Sequence, residues 1–600
     1  MKRGISLLEG VYNSTRNKKP RLVFGLEDNS NILPWISATK TYNYMNNDCL
    51  VDWLKLYGRT VPTSNGNKTP TQNNESFTQF LRRKGIEFEK GVVGYLAENH
   101  EIISLPNYYN LENVEKTTDL MKRGIKIIHS GSLKNDKNHT YGLSDLLIRS
   151  DYIPVLFGDE YDSADLYHPA TKLGVDINYH YRVIDIKFST LKLASDGIHL
   201  LNQGKIPAYK SQIYIYNDAL SKVQGYDSKK GYILGRKWKY SSCGDIFSGN
   251  SCFDKLGLID FKDRDFDFVN KTRLAINWYR DLLLMGESWT ISPPSRSELY
   301  PNMCVDSGEW NSVKENLARE ISDITMLWQC GPKNRDNAMM HGVDSWKDSN
   351  CNGKILGLGK SYENTVNDII KINTTRGMPP VSPSKIQNNY LDWQNMTSSD
   401  LFVDFETLSD ICQGGGEFSP VQMDMNMIFM IGVGWLDVEG NWQYKNFIAE
   451  SLSHESEKDI LIKFINFVNT YSDPKLFYWH AERSFWSRAL KKNGLLTDAN
   501  MNFDWVDLCR IFRTEPIVIK NCFNFGLKNV AKCLKEHNLI TTELNAECLN
   551  GMMAMVKAWN CYERGGQIRG DAIMKDIGVY NEFDCRVLYD ILNYLRKKHT

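Results

Sequence analysis

The chain has 600 residues with 72 basic and 72 acidic side chains, so its formal net charge is zero. A neutral chain has no general attraction for polyanions, and nucleic-acid binding would have to come from local basic patches. No apolar run is long enough to span a membrane, and 13 scattered cysteines without a C-x-x-C pair indicate a reducing, cytoplasmic or nuclear compartment rather than secretion.

Residues 1–76 form an irregular N-terminal region with some helical character, and the Asn-, Thr-, Pro- and Gly-rich stretch 60–76 predicts a loop. From Phe77 onward the pattern predicts a helix. Apolar residues recur there at roughly helical spacing: Phe80, Phe88, Val92 and Leu96. Glu89 lies on or beside that apolar face, where a salt-bridged helix glutamate is the ordinary interpretation.

Two strands that carry acidic residues follow this helix. We expect Gly142 to interrupt the regular secondary structure just before an apolar strand whose first residue is Asp145. Forty residues later, Asp185 and Lys187 share one face of a Val/Ile strand, because side chains two positions apart on a strand point the same way. The polar segment 157–180 between the two strands predicts an insertion or a hairpin.

A helix predicted over 208–220 carries Gln212 and Tyr216 four residues apart, and therefore on one face. A further strand is predicted at 231–235. A basic tail follows that strand: Arg236, Lys237 and Lys239.

Together these positions resemble the RecB-like branch of the PD-(D/E)XK nucleases. The family pattern is a helix glutamate, an aspartate near a glycine, D-x-K on a strand and a Q-x-x-x-Y helix. The matching residues are Glu89, Asp145, Asp185, Lys187, Gln212 and Tyr216. The resemblance covers about residues 80–240, and the alternative is an ordinary sheet domain with incidental acids.

This resemblance implies a restriction-endonuclease-like domain over 77–290. Asp145 and Asp185, helped by Glu89, would hold Mg²⁺ or Mn²⁺ through hard oxygen ligands. Lys187 would orient the attacking water or stabilise charge on the phosphate. The helix residues Gln212 and Tyr216 would line the substrate path.

Some RecB-like relatives bind an iron–sulfur cluster through one early cysteine and three late ones. The cysteines that could be arranged this way are Cys49, Cys243, Cys252 and Cys304. Their wide spacing is unlike the closely placed thiolates of such a site, so we expect no cluster.

Residues 291–397 predict a helical connector after a helix over 265–284. Glycine turns between helices at 327–346 would suit a small hairpin module that places backbone amides on phosphates, and a plain connector is the alternative. The Pro-rich segment 377–383 predicts a linker.

The stretch 401–407 is an apolar run that carries Asp404 and Glu406 two positions apart. On a strand both carboxylates point to one face, where they repel each other and resist burial unless positive charge lies between them. A divalent cation is the simplest such charge. The alternative is a half-exposed strand with solvated acids.

Further elements are predicted after this acidic strand: strands at 427–435 and 442–448, a helix over 457–471, a strand at 475–480 and a turn into a short helix at 525–531. Glu482 lies at a strand-to-helix junction, and a surface glutamate paired with a neighbouring arginine is its alternative. In the final helix Tyr580 and Asp584 lie one turn apart.

This arrangement resembles the DEDD exonucleases of the ribonuclease H-like fold, over residues 398–600. Asp404, Glu406 and Asp584 match the D-x-E and Y-x-x-x-D motifs, and Tyr580 is typical of the tyrosine subclass. An aspartate is usual at the remaining acidic position. Glu482 is the candidate there.

Asp507 is the rival of Glu482, although a helix-cap or turn role also suits it. The resemblance implies four carboxylates around two Mg²⁺ or Mn²⁺ ions, with Tyr580 orienting the attacking water.

The predicted class is therefore mixed α/β: a PD-(D/E)XK domain, a helical region and a ribonuclease H-like domain. This order resembles predicted RecB-family nucleases, which sometimes fuse to helicases. The chain has no P-loop, so an ATP-driven motor would have to be a helicase partner.

These features predict a metal-dependent DNA nuclease, with exonuclease action on single strands or ends, in repair, recombination or genome processing. One alternative is a nucleic-acid-binding protein in which one nuclease-like domain only grips the strand. Another is an RNA-directed exonuclease, because neither motif distinguishes ribose from deoxyribose in the substrate.

Overall fold

The computed structural model describes residues 33–58, 75–161, 163–174, 176–411, 418–422, 426–497, 503–543, 548 and 550–600. They belong to two compact units. The first contains the described residues of 1–64, 84–320 and 417–422, and the second those of 65–83, 321–416 and 423–600. The predicted domain limits at 76, 290 and 397 stay a prediction. The predicted loop over 60–76 lies outside the described residues except at its last two positions.

A mixed sheet of eight strands, counted over the described residues, forms the centre of the first unit. The strands are β1 (Ile36–Ser37), β2 (Ile102–Ser104), β3 (Ile127–Asn135), β4 (Thr140–Arg149), β5 (Tyr181–Lys192), β6 (Lys230–Ser242), β7 (Asp245–Gly249) and β8 (Leu256–Asp260). Their order is β2-β3-β4-β5-β6-β7, with β1 beside β4 and β8 beside β6. Strands β3, β4 and β5 are antiparallel neighbours, whereas β5 and β6 are parallel.

The described residues of the first unit contain eight α-helices. They are α1 (Tyr42–Met45), α2 (Leu50–Tyr57), α3 (Phe77–Asn99, of which 84–99 belong here), α4 (Leu111–Lys122), α5 (Ile153–Phe157), α6 (Ile206–Gln224), α7 (Phe266–Met285) and α8 (Asn311–Ile321). The predicted stripe of α3 is confirmed for Phe88, Val92 and Leu96, which are buried in one core with Ile184 and Ile186 of β5. Phe80, the first predicted member, is buried in a core of the second unit instead. Helix α6 lies on the opposite face, which carries the alternate residues of β5.

The prediction that Asp145 opens a strand after a glycine break is wrong. Strand β4 already begins at Thr140, so Gly142 lies inside it and Asp145 near its middle. A Cβ atom at Gly142 would lie 2.2 Å from the ring of Tyr216 on α6. The glycine therefore permits a close approach of helix to strand rather than a break.

Two other expectations for the first unit need correction. The strand predicted at 231–235 extends to Ser242, because its second half pairs with β7 as a hairpin. The described part of 157–180 contains short 3₁₀ turns at Asp159–Tyr161 and Ala164–Tyr167, so the predicted alternative of a hairpin is wrong and that of an insertion stands.

A five-stranded sheet, again counted over the described residues, forms the centre of the second unit. Its strands are β10 (Asp400–Leu408), β11 (Met427–Leu436), β12 (Trp442–Ile448), β13 (Lys475–Tyr478) and β14 (Asp504–Asp507), in the order β12-β11-β10-β13-β14. A separate pair joins β9 (Val381–Ser382) to β15 (Val518–Ile519). The predicted linker at 377–383 therefore contains a strand.

The described residues of the second unit contain eight α-helices. They are α9 (Pro332–Met340), α10 (Lys360–Thr374), α11 (His454–Val468), α12 (Glu482–Lys492), α13 (Leu508–Thr514), α14 (Leu527–Glu536), α15 (Gly551–Arg564) and α16 (Ala572–Lys598). Helix α11 ends at Val468, three residues before the predicted end. Strand β10 separates two cores, with Leu401, Val403 and Phe405 in one and Phe402 in the other.

The mixed α/β class is confirmed by these two sheets and their helices. Within the described ranges, no helix combines the length and the apolar character that crossing a bilayer requires.

Candidate active sites

The first group of predicted residues lies on β4 and β5. The antiparallel register pairs Leu146 with Ile184, so the preceding Asp145 and the following Asp185 are neighbours on adjacent strands. The Lys187 Nζ atom lies 2.6 Å from Asp185 Oδ2 and 3.9 Å from Asp145 Oδ2. We call Asp145, Asp185 and Lys187 the β4–β5 cluster.

The β4–β5 cluster contains two carboxylates and only one lysine to compensate their charge. Asp185 is fully buried, and its Oδ1 atom accepts no hydrogen bond from any described residue. Asp145 Oδ2 accepts a hydrogen bond from the backbone N–H of Ile186 at 2.7 Å. Burial and the nearby charge of Asp185 nevertheless raise the pKa of Asp145 well above its usual range. Burial lowers the pKa of Lys187, but the charges of Asp185 and Asp145 outweigh it and raise that pKa.

The other three predicted residues surround this cluster. The charge of Glu89 contributes to the raised pKa of Asp145, and Glu89 Oε1 lies 3.5 Å from His129 Nε2. Gln212 Nε2 donates a hydrogen bond of 2.7 Å to the Tyr216 hydroxyl. Burial and the charge of Asp185 raise the pKa of Tyr216, so the phenol stays protonated.

The second group of predicted residues surrounds one cavity of about 290 Å³ in the second unit. We call it the acidic cavity. Its lining includes Asp404 from β10, Glu482 from the first turn of α12, and both Tyr580 and Asp584 from α16. Glu406, two residues after Asp404 on β10, is buried and is not among the described lining residues.

The carboxylates of the acidic cavity are desolvated and repel one another. Burial raises the pKa of each: Asp404 well above its usual range, Glu406 and Glu482 to about 8, and Asp584 to about 6. The charges of the other three acids raise the pKa of Asp404 further. Lys528 acts in the opposite direction on Asp404, Glu406 and Asp584. One lysine therefore does not offset the repulsion among four ionised carboxylates, and without further positive charge some of them keep their protons.

The structure separates Glu482 from its rival Asp507. Asp507 Oδ1 accepts hydrogen bonds of 3.1 Å from the backbone N–H groups of His480 and Arg510, and the second of these caps α13. The predicted helix-cap role of Asp507 is therefore confirmed. Glu482 is 7% exposed and lines the acidic cavity, so the surface alternative for it is wrong.

Asn581 was not singled out from the sequence, although it follows Tyr580 directly. Its Nδ2 atom donates to Asp404 Oδ2 at 2.7 Å and lies 3.4 Å from Glu406 Oε1. Its Oδ1 atom accepts from the Tyr444 hydroxyl at 2.8 Å. A Cβ atom at Gly432 of β11 would lie 1.6 Å from that Oδ1, so the glycine lets the buried amide reach both acids.

Lys528 was also missed, since the sequence indicated only a turn into a short helix there. It lies in the first turn of α14, lines the acidic cavity, and its Nζ atom lies 4.1 Å from the centre of the Tyr580 ring. A lysine at the start of a helix is unfavourable for the helix dipole, which is the one local signal that could have drawn attention to it.

Both clusters are suited to a hard divalent cation by their chemistry. Among the described residues, no three Asp, Glu, His or Cys side chains stand at the mutual distances of a formed metal site. The donors are nevertheless carboxylate oxygens, which Mg²⁺ and Mn²⁺ prefer. Moreover, Asp584 Oδ1 and Asp185 Oδ1 are buried and accept no hydrogen bond from a described residue.

A family model of the RNase_H superfamily matches residues 417–596, which supports a ribonuclease H-like domain and suggests a nuclease-type fold. The matched range contains Glu482, Tyr580 and Asp584. It does not reach the β4–β5 cluster, so the PD-(D/E)XK assignment stays a prediction. No match to a curated protein or to a solved structure was found.

Replacing Glu406 with glutamine tests the electrostatics of the acidic cavity. The raised pKa of Glu406 means that its proton stabilises the folded state at low pH, and that this stability is lost as the pH rises through about 8. Glu406→Gln should therefore melt above the metal-free wild type at about pH 8.5, and the excess should shrink toward about pH 6. The measurement is the melting temperature in EDTA at a series of pH values.

Glu439→Gln is the matched control, because Glu439 is exposed and its variant should show no such pH trend. A melting-temperature difference for Glu406→Gln that stays constant with pH would contradict the description of this cavity as strained by its own charge.

Proposed function

We propose that this protein is a divalent-metal-dependent nuclease that hydrolyses phosphodiester bonds of DNA, at single strands or ends, in repair, recombination or genome processing. The main support is the gathering of Asp404, Glu482, Asp584 and Tyr580 around one cavity, with Glu406 beside them, in the unit that contains most of the matched range. The β4–β5 cluster supports a second active site.

The carboxylates would hold Mg²⁺ or Mn²⁺ in both units. In the second unit these are Asp404, Glu406, Glu482 and Asp584, and in the first Asp145 and Asp185, with Glu89 beside them. When bound there, such an ion supplies positive charge at the reacting phosphate and makes a bound water more acidic.

Tyr580 and Asn581 would prepare the acidic cavity for substrate. Burial and the charges of Asp584, Glu406 and Asp404 raise the pKa of Tyr580, so its hydroxyl keeps its proton and can orient a water as donor. Tyr580 lies one turn before Asp584 on the same helix and lowers the pKa of that carboxyl group. Asn581 fixes the Asp404 carboxylate from the opposite side. Both contacts reduce the reorganisation that the acids would need during the reaction.

Lys187 and Lys528 would each place one positive charge where a phosphate develops negative charge. Lys187 stays an ammonium because Asp185 and Asp145 raise its pKa. Lys528 faces the three acids whose pKa values it lowers. In the first unit the bonded pair Gln212 and Tyr216 would border the substrate path.

End-labelled DNA digestion tests the proposal. The substrates are 5′- and 3′-labelled single-stranded DNA, duplex DNA and RNA, each with Mn²⁺ or with EDTA. We expect the wild type to cleave single-stranded DNA only with the metal ion. Asp185→Asn and Asp404→Asn should each remove a distinct set of products, slowing that set by about a hundredfold or more.

Asp507→Asn is the matched control for Asp404→Asn. Asparagine caps a helix as well as aspartate does, so this variant keeps the contact with Arg510 while it loses the charge. It should cleave like the wild type.

The outcomes separate the proposal from its alternatives. If only Asp185→Asn abolishes cleavage, the second unit grips the strand without catalysis. Cleavage of RNA but not DNA would favour an RNA-directed exonuclease. A wild type that shows no metal-dependent cleavage of any substrate would contradict the proposed function.

Lys528→Met provides a second test, confined to the acidic cavity. Loss of the ammonium should lower kcat for the products that Asp404→Asn removes, by about 10- to 100-fold, because charge on the phosphate is then less stabilised. Lys532→Met is the control, since Lys532 is exposed on the same helix. Equal kcat values for the two methionine variants would exclude Lys528 from the reaction.

A further inference from the structure

A row of lysines extends from the β4–β5 cluster along the sheet. It consists of Lys237 and Lys239 on β6 and Lys192 on β5, and we call it the lysine row. Lys237 is buried, whereas Lys192 and Lys239 are exposed and form the accessible part of the row. The row is separate from the acids and from the residues that border the predicted substrate path.

The strand register places the lysine row on the same face as the cluster. Strands β5 and β6 are parallel, with Lys187 beside Gly235 and, further on, Lys192 beside Lys239. The shift between Lys187 and Thr190 adds one residue to β5, whereas β6 continues without interruption. Lys237 and Lys239 therefore follow Gly235 at two-residue steps, on the face where Lys187 lies.

Two members of the row carry like charge in an unfavourable arrangement. Lys192 and Lys239 are exposed and stand directly beside each other on neighbouring strands. Within the described residues, no salt bridge or other charge interaction involves either of them. Adjacent like charges destabilise a strand pair, so this pair is explained best by a negatively charged ligand.

The hairpin that carries the row is held in place from its other face. Trp238 and Tyr240 stack on each other, and the Tyr240 ring stacks on the cross-strand Phe247 ring at 4.9 Å with an interplanar angle of 13°. Such cross-strand aromatic pairs stabilise exposed hairpins. Lys239 thus projects from a strand of fixed geometry rather than from a flexible loop, and Lys192 pairs with that strand.

We propose that the lysine row binds the phosphodiester backbone of a single nucleic-acid strand that enters the β4–β5 cluster. This inference rests on the proposed nuclease function. Lys192 and Lys239 stand side by side on adjacent strands, whose backbones are about 4.7–4.9 Å apart, so both ammonium groups can reach phosphates of one backbone. Each lysine that contacts a phosphate releases counterions, which favours binding.

Equilibrium binding tests this proposal on the full-length protein. The probe is a fluorescein-labelled 20-nucleotide single-stranded DNA, followed by fluorescence anisotropy in EDTA at several KCl concentrations. Lys192→Gln/Lys239→Gln should weaken binding by about fivefold or more and reduce the slope of log K against log salt by about 1.4, or about 0.7 for each lost phosphate contact.

The matched control is Lys122→Gln/Lys137→Gln. Both lysines are exposed in the first unit, and neither lies on β5 or β6. This variant loses the same net charge, so it should keep the wild-type affinity and salt slope. Equal losses in both double variants would overturn the proposal, because the effect would then come from overall charge alone.

Cleavage kinetics separate failure of this inference from failure of the proposed function. In an Asp404→Asn background with Mn²⁺, Lys192→Gln/Lys239→Gln should raise KM for single-stranded DNA and leave kcat unchanged. If the lysine substitutions leave the KM of the Asp404→Asn protein unchanged, the strand does not bind along the lysine row, although the nuclease function stands. If the Asp404→Asn protein with intact lysines cleaves no DNA while the wild type does, the β4–β5 cluster is not an active site. The inference about the lysine row is then wrong as well.

Two further probes identify the ligand more narrowly. RNA of the same sequence should bind with a similar dependence on the row, because the row reaches phosphates rather than sugars. Blunt duplex DNA should bind with less dependence on it. A duplex affinity that falls as much as the single-strand affinity would overturn the assignment to a single strand.

Discussion

Burial of like-charged carboxylates on apolar strands is the constraint on which both candidate sites depend. In each unit the strands that carry the acids also supply neighbouring residues to a hydrophobic core. The core residues fix where the acids point, because a shift of one residue would expose the apolar side chains. Hydrophobic packing therefore holds the acids together against a repulsion that would otherwise drive them apart.

The two units compensate this repulsion differently. In the first, a lysine on the same strand as Asp185 lies 2.6 Å from its carboxylate, so one β-strand supplies both charge and counter-charge. In the second, an amide and a lysine come from helices that are distant in sequence, Asn581 on α16 and Lys528 on α14. Neither arrangement neutralises its acids completely, which leaves each site with affinity for added positive charge.

The sequence could predict those parts of the sites that follow from local periodicity. The two-residue spacing of Asp404 and Glu406 on an apolar run, and the four-residue spacing of Tyr580 and Asp584, each determine a shared face without knowledge of the fold. Asn581 and Lys528 could not be found in this way, because their importance comes from contacts across the unit. The glycine at 142 misled the strand prediction, since a close approach of Tyr216 cannot be distinguished locally from a chain break.

The central claim is that these carboxylates form divalent-cation sites, and direct measurement of Mn²⁺ binding to the metal-free protein tests it without any substrate. Calorimetric titration should show bound Mn²⁺ in the wild type, with fewer ions bound in Asp185→Asn and in Asp404→Asn, and fewest in the double variant. Heat of binding that is absent, or that is unchanged in the double variant, would contradict the account and leave the buried acids as structural groups.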